Sequence, residues 1–246
     1  MQLYIVKFRN LCNLSGRKVA LSTLLVLFAL ASYGQINNKS YNYLDFQKKP
    51  YYFGITFGVN NSGYKINHSP SFINNDQIFI AEGASGFGVE VHMVNNLKIG
   101  EYFDFRFIPG VSLVERTFEF ENGVGGINKT KVESVYADVP LQIRYKSAPY
   151  KDKRAFVTAG VKYSYDVQSN SKTRQANTQI KITPHDFQAE IGAGFQIFLP
   201  YIIVSPEIKF SQGINNILIY NDELNEAKIL EKVLSRAFTI SIHLEG

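Results

Sequence analysis

Phe187–Phe198 reads FQAEIGAGFQIF. Ala189, Ile191, Ala193, Phe195 and Ile197 share one parity, and Glu190, Gly192, Gly194 and Gln196 share the other. This period-2 pattern predicts a strand with one apolar and one polar face. Glycine weakens a strand whose polar face meets water, but it gives room where side chains crowd inside a narrow barrel. The segment therefore predicts an inverted protein, with apolar side chains outside and polar ones within.

Seven further segments repeat the alternation: Tyr51–Asn60, Gly86–Val94, Phe103–Val114, Val135–Tyr145, Ala155–Asp166, Ile202–Gly213 and Arg236–Leu244. Eight strands is an even number, as a closed meander requires. The connections Asn95–Tyr102, Lys146–Arg154 and Leu199–Tyr201 are short, whereas Lys65–Ser85, Glu115–Ser134, Val167–Asp186 and Ile214–Ser235 are long and polar. Long and short alternate, so the long ones gather at one end. The expected fold is all-β: an eight-stranded antiparallel up-and-down transmembrane β-barrel with short periplasmic turns and long extracellular loops.

A water-soluble eight-stranded barrel would show the same alternation with its faces reversed. Two features favour the membrane form. Gly54, Gly58, Gly88, Gly110, Gly160, Gly192, Gly194 and Gly213 sit on the polar face. That face also carries both signs of charge in near balance: Glu90, Asp104, Asp138, Glu190 and Glu207 against Arg106, Arg144, Lys162 and Lys209, with His92 beside them. Buried charges persist when paired and hydrogen-bonded, so these ten are expected to form a structural polar network in the lumen. Tyr51, Tyr52, Tyr102, Tyr145, Tyr150 and Tyr201 cluster at the short-turn ends, where an interfacial girdle belongs. An open aqueous pore is not expected, because eight strands enclose little beyond their own side chains.

Working outward, Lys7, Arg9, Arg17 and Lys18 precede or begin a short apolar run, Val19–Ala31, which ends in Ser32-Tyr33-Gly34. This is the pattern of a secretory signal peptide over residues 1–34, leaving 35–50 as a periplasmic lead-in and 51–246 as the outer-membrane barrel. Without those four cations, the chain carries 22 basic against 21 acidic residues. No polybasic face remains, which argues against a nucleic-acid partner. The single cysteine, Cys12, lies in the leader, so the exported part has no thiol for a disulfide or a zinc site.

Chemistry-bearing motifs are sparse. His68, His92, His185 and His243 show no metal-ligand spacing, and no cofactor or small-molecule substrate is predicted. Glu90 and His92 could relay a proton, but membership of the internal polar network is the favoured reading. No nucleophile, base and orienter form a recognisable group. Asp222–Leu234 (DELNEAKILEKVL) predicts a short amphipathic helix, with Leu224, Ala227, Leu230 and Leu234 as a possible partner-contact face.

Tyr52–Asn60 (YFGITFGVN), Tyr136–Tyr145 (YADVPLQIRY), Glu190–Phe195 through Leu199-Pro200-Tyr201, Ser205–Ser211 (SPEIKFS) and Gly213–Leu218 (GINNIL) resemble PorT/SprT-type outer-membrane barrels. The similarity covers nearly the whole exported chain, and the sixth-to-seventh hairpin with its Gly-Ile-Asn-Asn is the discriminating part. This resemblance implies a component of the type IX secretion and gliding machinery in the bacterial outer membrane. Such a component meets the lipid bilayer and other secretion-system proteins, and works by protein contacts rather than catalysis. No catalytic residues carry over. A small outer-membrane barrel that binds a ligand or surface partner is the alternative, and a lipid-modifying enzyme is a remote third.

Overall fold

The computed structural model describes residues 41–69, 78–122, 126–168, 181–219 and 230–246. The expected signal peptide and the first residues of the lead-in lie outside this set. Helix α1 (Asn42–Gln47) is followed by β1 (Tyr51–His68), β2 (Ile78–Ile99), β3 (Phe103–Phe107), β4 (Gly110–Asn122), β5 (Gly126–Lys146) and β6 (Lys153–Asp166). Then come β7 (Lys181–Ile182), β8 (His185–Phe198), β9 (Ile203–Gly213), β10 (Leu218–Ile219) and β11 (Leu230–Glu245). Among the described residues no helix is long and apolar enough to cross a membrane.

Nine strands form one antiparallel sheet, and β7 pairs with β10 in a separate two-stranded ribbon. Consecutive strands of the main sheet are neighbours, and β1 pairs with both β2 and β11. The hydrogen-bonded order thus returns to its starting strand. The single segment expected at Phe103–Val114 is divided into β3 and β4. Pro109 lacks an N–H, which interrupts the ladder. The registers with β2 and β5 nevertheless continue across the break, from Asn95↔Phe107 to His92↔Gly110 and from Phe107↔Leu141 to Gly110↔Asp138.

The strands run well beyond the segments expected from alternation. Much of Lys65–Ser85, Glu115–Ser134 and Ile214–Ser235, expected as loops, continues as paired β1, β2, β4, β5 and β11. Backbone pairing needs no apolar face, so alternation marks only the part of a strand that has one greasy side.

The two faces are inverted relative to a soluble protein. On β8, Phe187, Ile191 and Phe195 are 52%, 63% and 61% exposed, while Gln188, Glu190 and Gln196 are buried. Phe53, Phe57, Met93, Val111, Ile143, Val161, Ile208 and Ile240 also face outward and are exposed. Water would penalise such a continuous apolar surface, whereas hydrocarbon would not.

The short-connection end of the interior is stoppered. There Tyr43 and Phe46 of α1 pack with Tyr52, Phe198 and Ile203. The helix is tied down by Asn42 Nδ2 donating to the Phe198 carbonyl at 3.3 Å, and by Lys98 Nζ donating to the Phe46 carbonyl. That last contact puts a cation at the helix C-terminus, where its dipole favours one. Tyr52 thus belongs to the interior and not to the expected girdle, because its parity is opposite to that of Tyr51 and Phe53. At the far end, Ile217, Leu230 and Val233 are buried.

Candidate functional site

The ten residues expected in the lumen are all buried, and they form two adjoining tiers with partners that the sequence reading did not single out. Among the described residues, eight buried acids face seven buried lysines and arginines, and Arg106, Arg144, Lys146, Lys162 and Lys209 each have a carboxylate oxygen within 4 Å.

The tier nearer α1 centres on Glu245. Arg106 Nη2 donates to Glu245 Oε1 at 2.5 Å, and Arg144 reaches the same carboxylate from Nη1 at 3.3 Å and Nη2 at 3.4 Å. Arg106 Nη1 also lies 3.7 Å from Glu207 Oε2. Glu207 is held by His243 Nε2 at 2.6 Å and by the Thr158 hydroxyl, and His243 Nδ1 lies 2.6 Å from Thr56 Oγ1. The Arg144 guanidinium stacks 4.1 Å from the Phe156 ring centroid. Just beneath, Lys146 donates to Asp104 Oδ1 at 2.5 Å and the Tyr52 hydroxyl donates to Oδ2 at 3.2 Å.

Backbone placement makes this density possible. A Cβ added at Gly192 would lie 2.5 Å from Glu207 Oε1 and 2.6 Å from Thr158 Oγ1, so a side chain there would push the carboxylate and its hydroxyl donor out of place.

The second tier gathers Glu90, His92, Asp138, Lys162, Glu190 and Lys209. Asp138 accepts from Ser164 at 2.5 Å and from Ser112 at 2.7 Å, and lies 3.3 Å from His92 Nε2. Glu190 accepts from Gln142 at 2.8 Å and Ser211 at 3.0 Å, with Lys162 at 3.5 Å and Lys209 at 3.8 Å. Glu90 lies 3.8 Å from His92 Nδ1 and 3.9 Å from Lys209 Nζ. The Glu90–His92 pair is thus one edge of a wider network that joins at least four strands.

Above these tiers, Arg116 Nη1 donates to the Tyr136 hydroxyl at 3.2 Å and its guanidinium stacks against the rings of Tyr64 and Tyr136. Little space is left along the axis. A cavity of about 30 Å³ lies on the interior side of α1, lined by Tyr43, Tyr52, Lys98, Lys146 and Arg154 among others. Tyr43, which lies outside the strands, has its hydroxyl pKa raised by burial. A second cavity of about 10 Å³ lies by Asn60 and Asp138. Among the described residues no group of three His, Cys, Asp or Glu could hold a metal ion.

The loop-helix expectation needs correction. Leu230 and Leu234 lie in β11, not in a helix, and Leu230 is buried inside. Antiparallel pairing of Leu230 and Leu234 with β1 outweighs the local helical pattern. Leu224 and Ala227 lie outside the described residues.

The GINN segment has a clear local role. Asn215 Oδ1 accepts from Phe187 N at 2.7 Å while its Nδ2 donates to the His185 carbonyl at 3.1 Å. Asn216 Oδ1 accepts from Leu218 N at 3.1 Å and Val233 N at 3.0 Å, and its Nδ2 donates to the Glu231 carbonyl at 3.2 Å. The two amides clamp the chain leaving β9 to its neighbours β8 and β11. Of the unanticipated lumen residues, Glu245 and Lys146 continue the inward parity of their strands and were readable by extending the alternation two places.

Comparison with known proteins places this geometry among outer-membrane barrels. Residues 35–218 match the family described as outer membrane protein beta-barrel domain. No curated protein matches the chain. Among solved structures it is similar to the outer membrane protein OprG of Pseudomonas aeruginosa, at 9% identity over 79% of this chain and 93% of that one, with a TM-score of 0.48. It is also similar to Ail, the attachment invasion locus protein of Yersinia pestis, solved with the heparin analogue sucrose octasulfate. That match has 10% identity over 80% of this chain and 100% of the other, with a TM-score of 0.38.

Proposed function

Because the chain belongs to the outer membrane protein β-barrel domain family, we propose that it is a sealed barrel of the bacterial outer membrane that acts by binding a partner at the cell surface. Counting β3 and β4 as one strand interrupted at Pro109, the barrel has eight strands. Residues 1–34 are the export signal. Residues 35–50 form the periplasmic lead-in, whose α1 stoppers the lower mouth. The long-connection end faces the exterior.

The observation that carries this reading is the length of the strands beyond the apolar band. On β1 the outward apolar residues end at Val59, yet pairing with β11 continues to His68. At about 3.4 Å per residue and a tilt of ~40°, this raises a paired sheet roughly 20 Å above the hydrocarbon. A paired ridge of that height offers a preorganised contact surface, and a narrow charged interior offers no passage. The lumen network is structural: it fixes the shape on which the ridge stands. The protein works by contact rather than catalysis.

A second reading, membership of the type IX secretion and gliding machinery, rests on the residues of Glu190–Leu218. A deletion strain separates the two. Surface contact predicts that cells lacking the protein lose attachment to a host or neighbouring surface, while export of proteins bearing a C-terminal secretion domain is unchanged. Loss of that export with attachment of purified barrel unaffected would favour the secretion reading. Ion conductance of the purified protein in planar bilayers would refute the sealed lumen.

A further inference from the structure

On β2 the outward parity runs Phe87, Val89, Val91, Met93, Asn95, Leu97, Ile99. His92, Val94 and Asn96 are buried, which fixes Asn95 on the outer face. Within the apolar band, every other outward side chain among the described residues is apolar or tyrosine. Asn95 is four residues from Ile99 and eight from Phe87. At the rise and tilt used above, it lies about 10 Å inside one edge of the band and about 20 Å from the other. Lipid headgroups stay outside that depth, and the short side chain cannot extend to the interface as a lysine does.

The amide is only partly satisfied. Nδ2 donates to the Phe107 carbonyl at 3.3 Å, across the register that pairs Asn95 with Phe107. A carboxamide has two N–H donors and an oxygen with two lone pairs, so one N–H and Oδ1 remain. Hydrocarbon offers them no partner. Holding the Phe107 carbonyl accounts for one hydrogen bond and leaves the rest of the amide uncompensated.

A second carboxamide at the same depth answers both remaining groups. Its edge carries a donor beside an acceptor, so two amides exchange a pair of hydrogen bonds. Copies of one chain share one orientation in the membrane. A twofold axis along the membrane normal therefore brings their Asn95 residues to equal depth, whereas any other partner needs a polar group matched to that depth. The surroundings suit such a contact. Phe53 and Phe107 flank Asn95 on the neighbouring strands, with Met93 and Leu97 along its own, and all four are exposed. In lipid, close packing and polar contacts drive association, and aromatic residues and methionine are enriched at interfaces.

We propose that two copies of this chain associate in the membrane along β2, with the Asn95 amides at the twofold axis donating to one another. This association is separate from the surface contact proposed above and needs only that the apolar face meet lipid.

The test uses purified full-length protein in density-matched detergent micelles, with sedimentation equilibrium to measure dimer dissociation. Wild type should sediment as a concentration-dependent mixture of monomer and dimer. Asn95→Leu should weaken dimerisation at least about tenfold, and Asn95→Gln, which keeps a carboxamide, should recover part of the loss. A wild type that is monomeric throughout, an Asn95→Leu variant that dimerises as wild type does, or an Asn95→Gln variant no tighter than Asn95→Leu overturns the proposal. Cross-linking locates the contact with Asn95 intact, so it decides the matter even where Asn95→Leu fails the heat-shift test of folding on a gel. In a Cys12→Ser background, Met93→Cys should form a disulfide-linked dimer in outer membranes treated with copper–phenanthroline. Ile191→Cys, equally exposed but on β8 at the opposite wall, should not. No dimer from Met93→Cys, or as much from Ile191→Cys, overturns the proposal.

Discussion

Glu245→Gln tests the dry, paired interior most directly. The side chains of Arg106, Arg144 and Glu245 are fully buried, and the one carboxylate accepts three guanidinium hydrogen bonds, one of them at 2.5 Å. Removing its charge leaves two guanidinium cations facing Glu207, which lies 3.7 Å from Arg106. Breaking a buried pair by deleting one partner costs about 3–5 kcal/mol, because the surviving charge cannot be hydrated. The double variant Arg144→Met, Glu245→Gln removes one charge of each sign and restores the balance, so it should be more stable than Glu245→Gln alone. Urea unfolding from detergent micelles measures both. Tyrosine emission is the natural signal, since the chain has 15 tyrosines and no tryptophan. A loss below about 1 kcal/mol for Glu245→Gln would match an exposed ion pair and refute the dry network.

Other substitutions probe the faces and the clamps. Val161→Arg, on an exposed apolar position of β6, should cost about 2–4 kcal/mol if it meets the bilayer midplane, and Val161→Thr far less; refolding into vesicles followed by denaturant titration checks this. Gly192→Ala places a methyl against Glu207 and Thr158 and should destabilise by about 1–3 kcal/mol in the same titration. Asn216→Ala removes the side-chain acceptor of the Leu218 and Val233 N–H groups, so their hydrogen exchange should accelerate, with a stability loss of about 0.5–1.5 kcal/mol.

Legibility in the sequence followed the physics of each region. Where a strand crosses the apolar layer, one face must be greasy, and the expected segment at Phe187–Phe198 differs from β8 by two residues at one end. Beyond that layer both faces can be polar, so Lys65–His68 reads as loop and Leu230–Leu234 as helix, although both are paired strand. The burial of the ten polar side chains expected on the inner face follows from parity, which is a local property. Their partners across the barrel do not, because Arg106 meets Glu245 only when strands far apart in the chain are brought to opposite sides of one interior. Tyr52 lies at the strand end where a girdle belongs, but its parity turns it inward.

Glu245 lies on β11, which follows every other described strand in the chain and pairs with β1. Until that seam forms, the two arginines it neutralises face a gap, and hydrocarbon entering there would meet bare cations. Completion is thereby rewarded electrostatically at the same moment as geometrically.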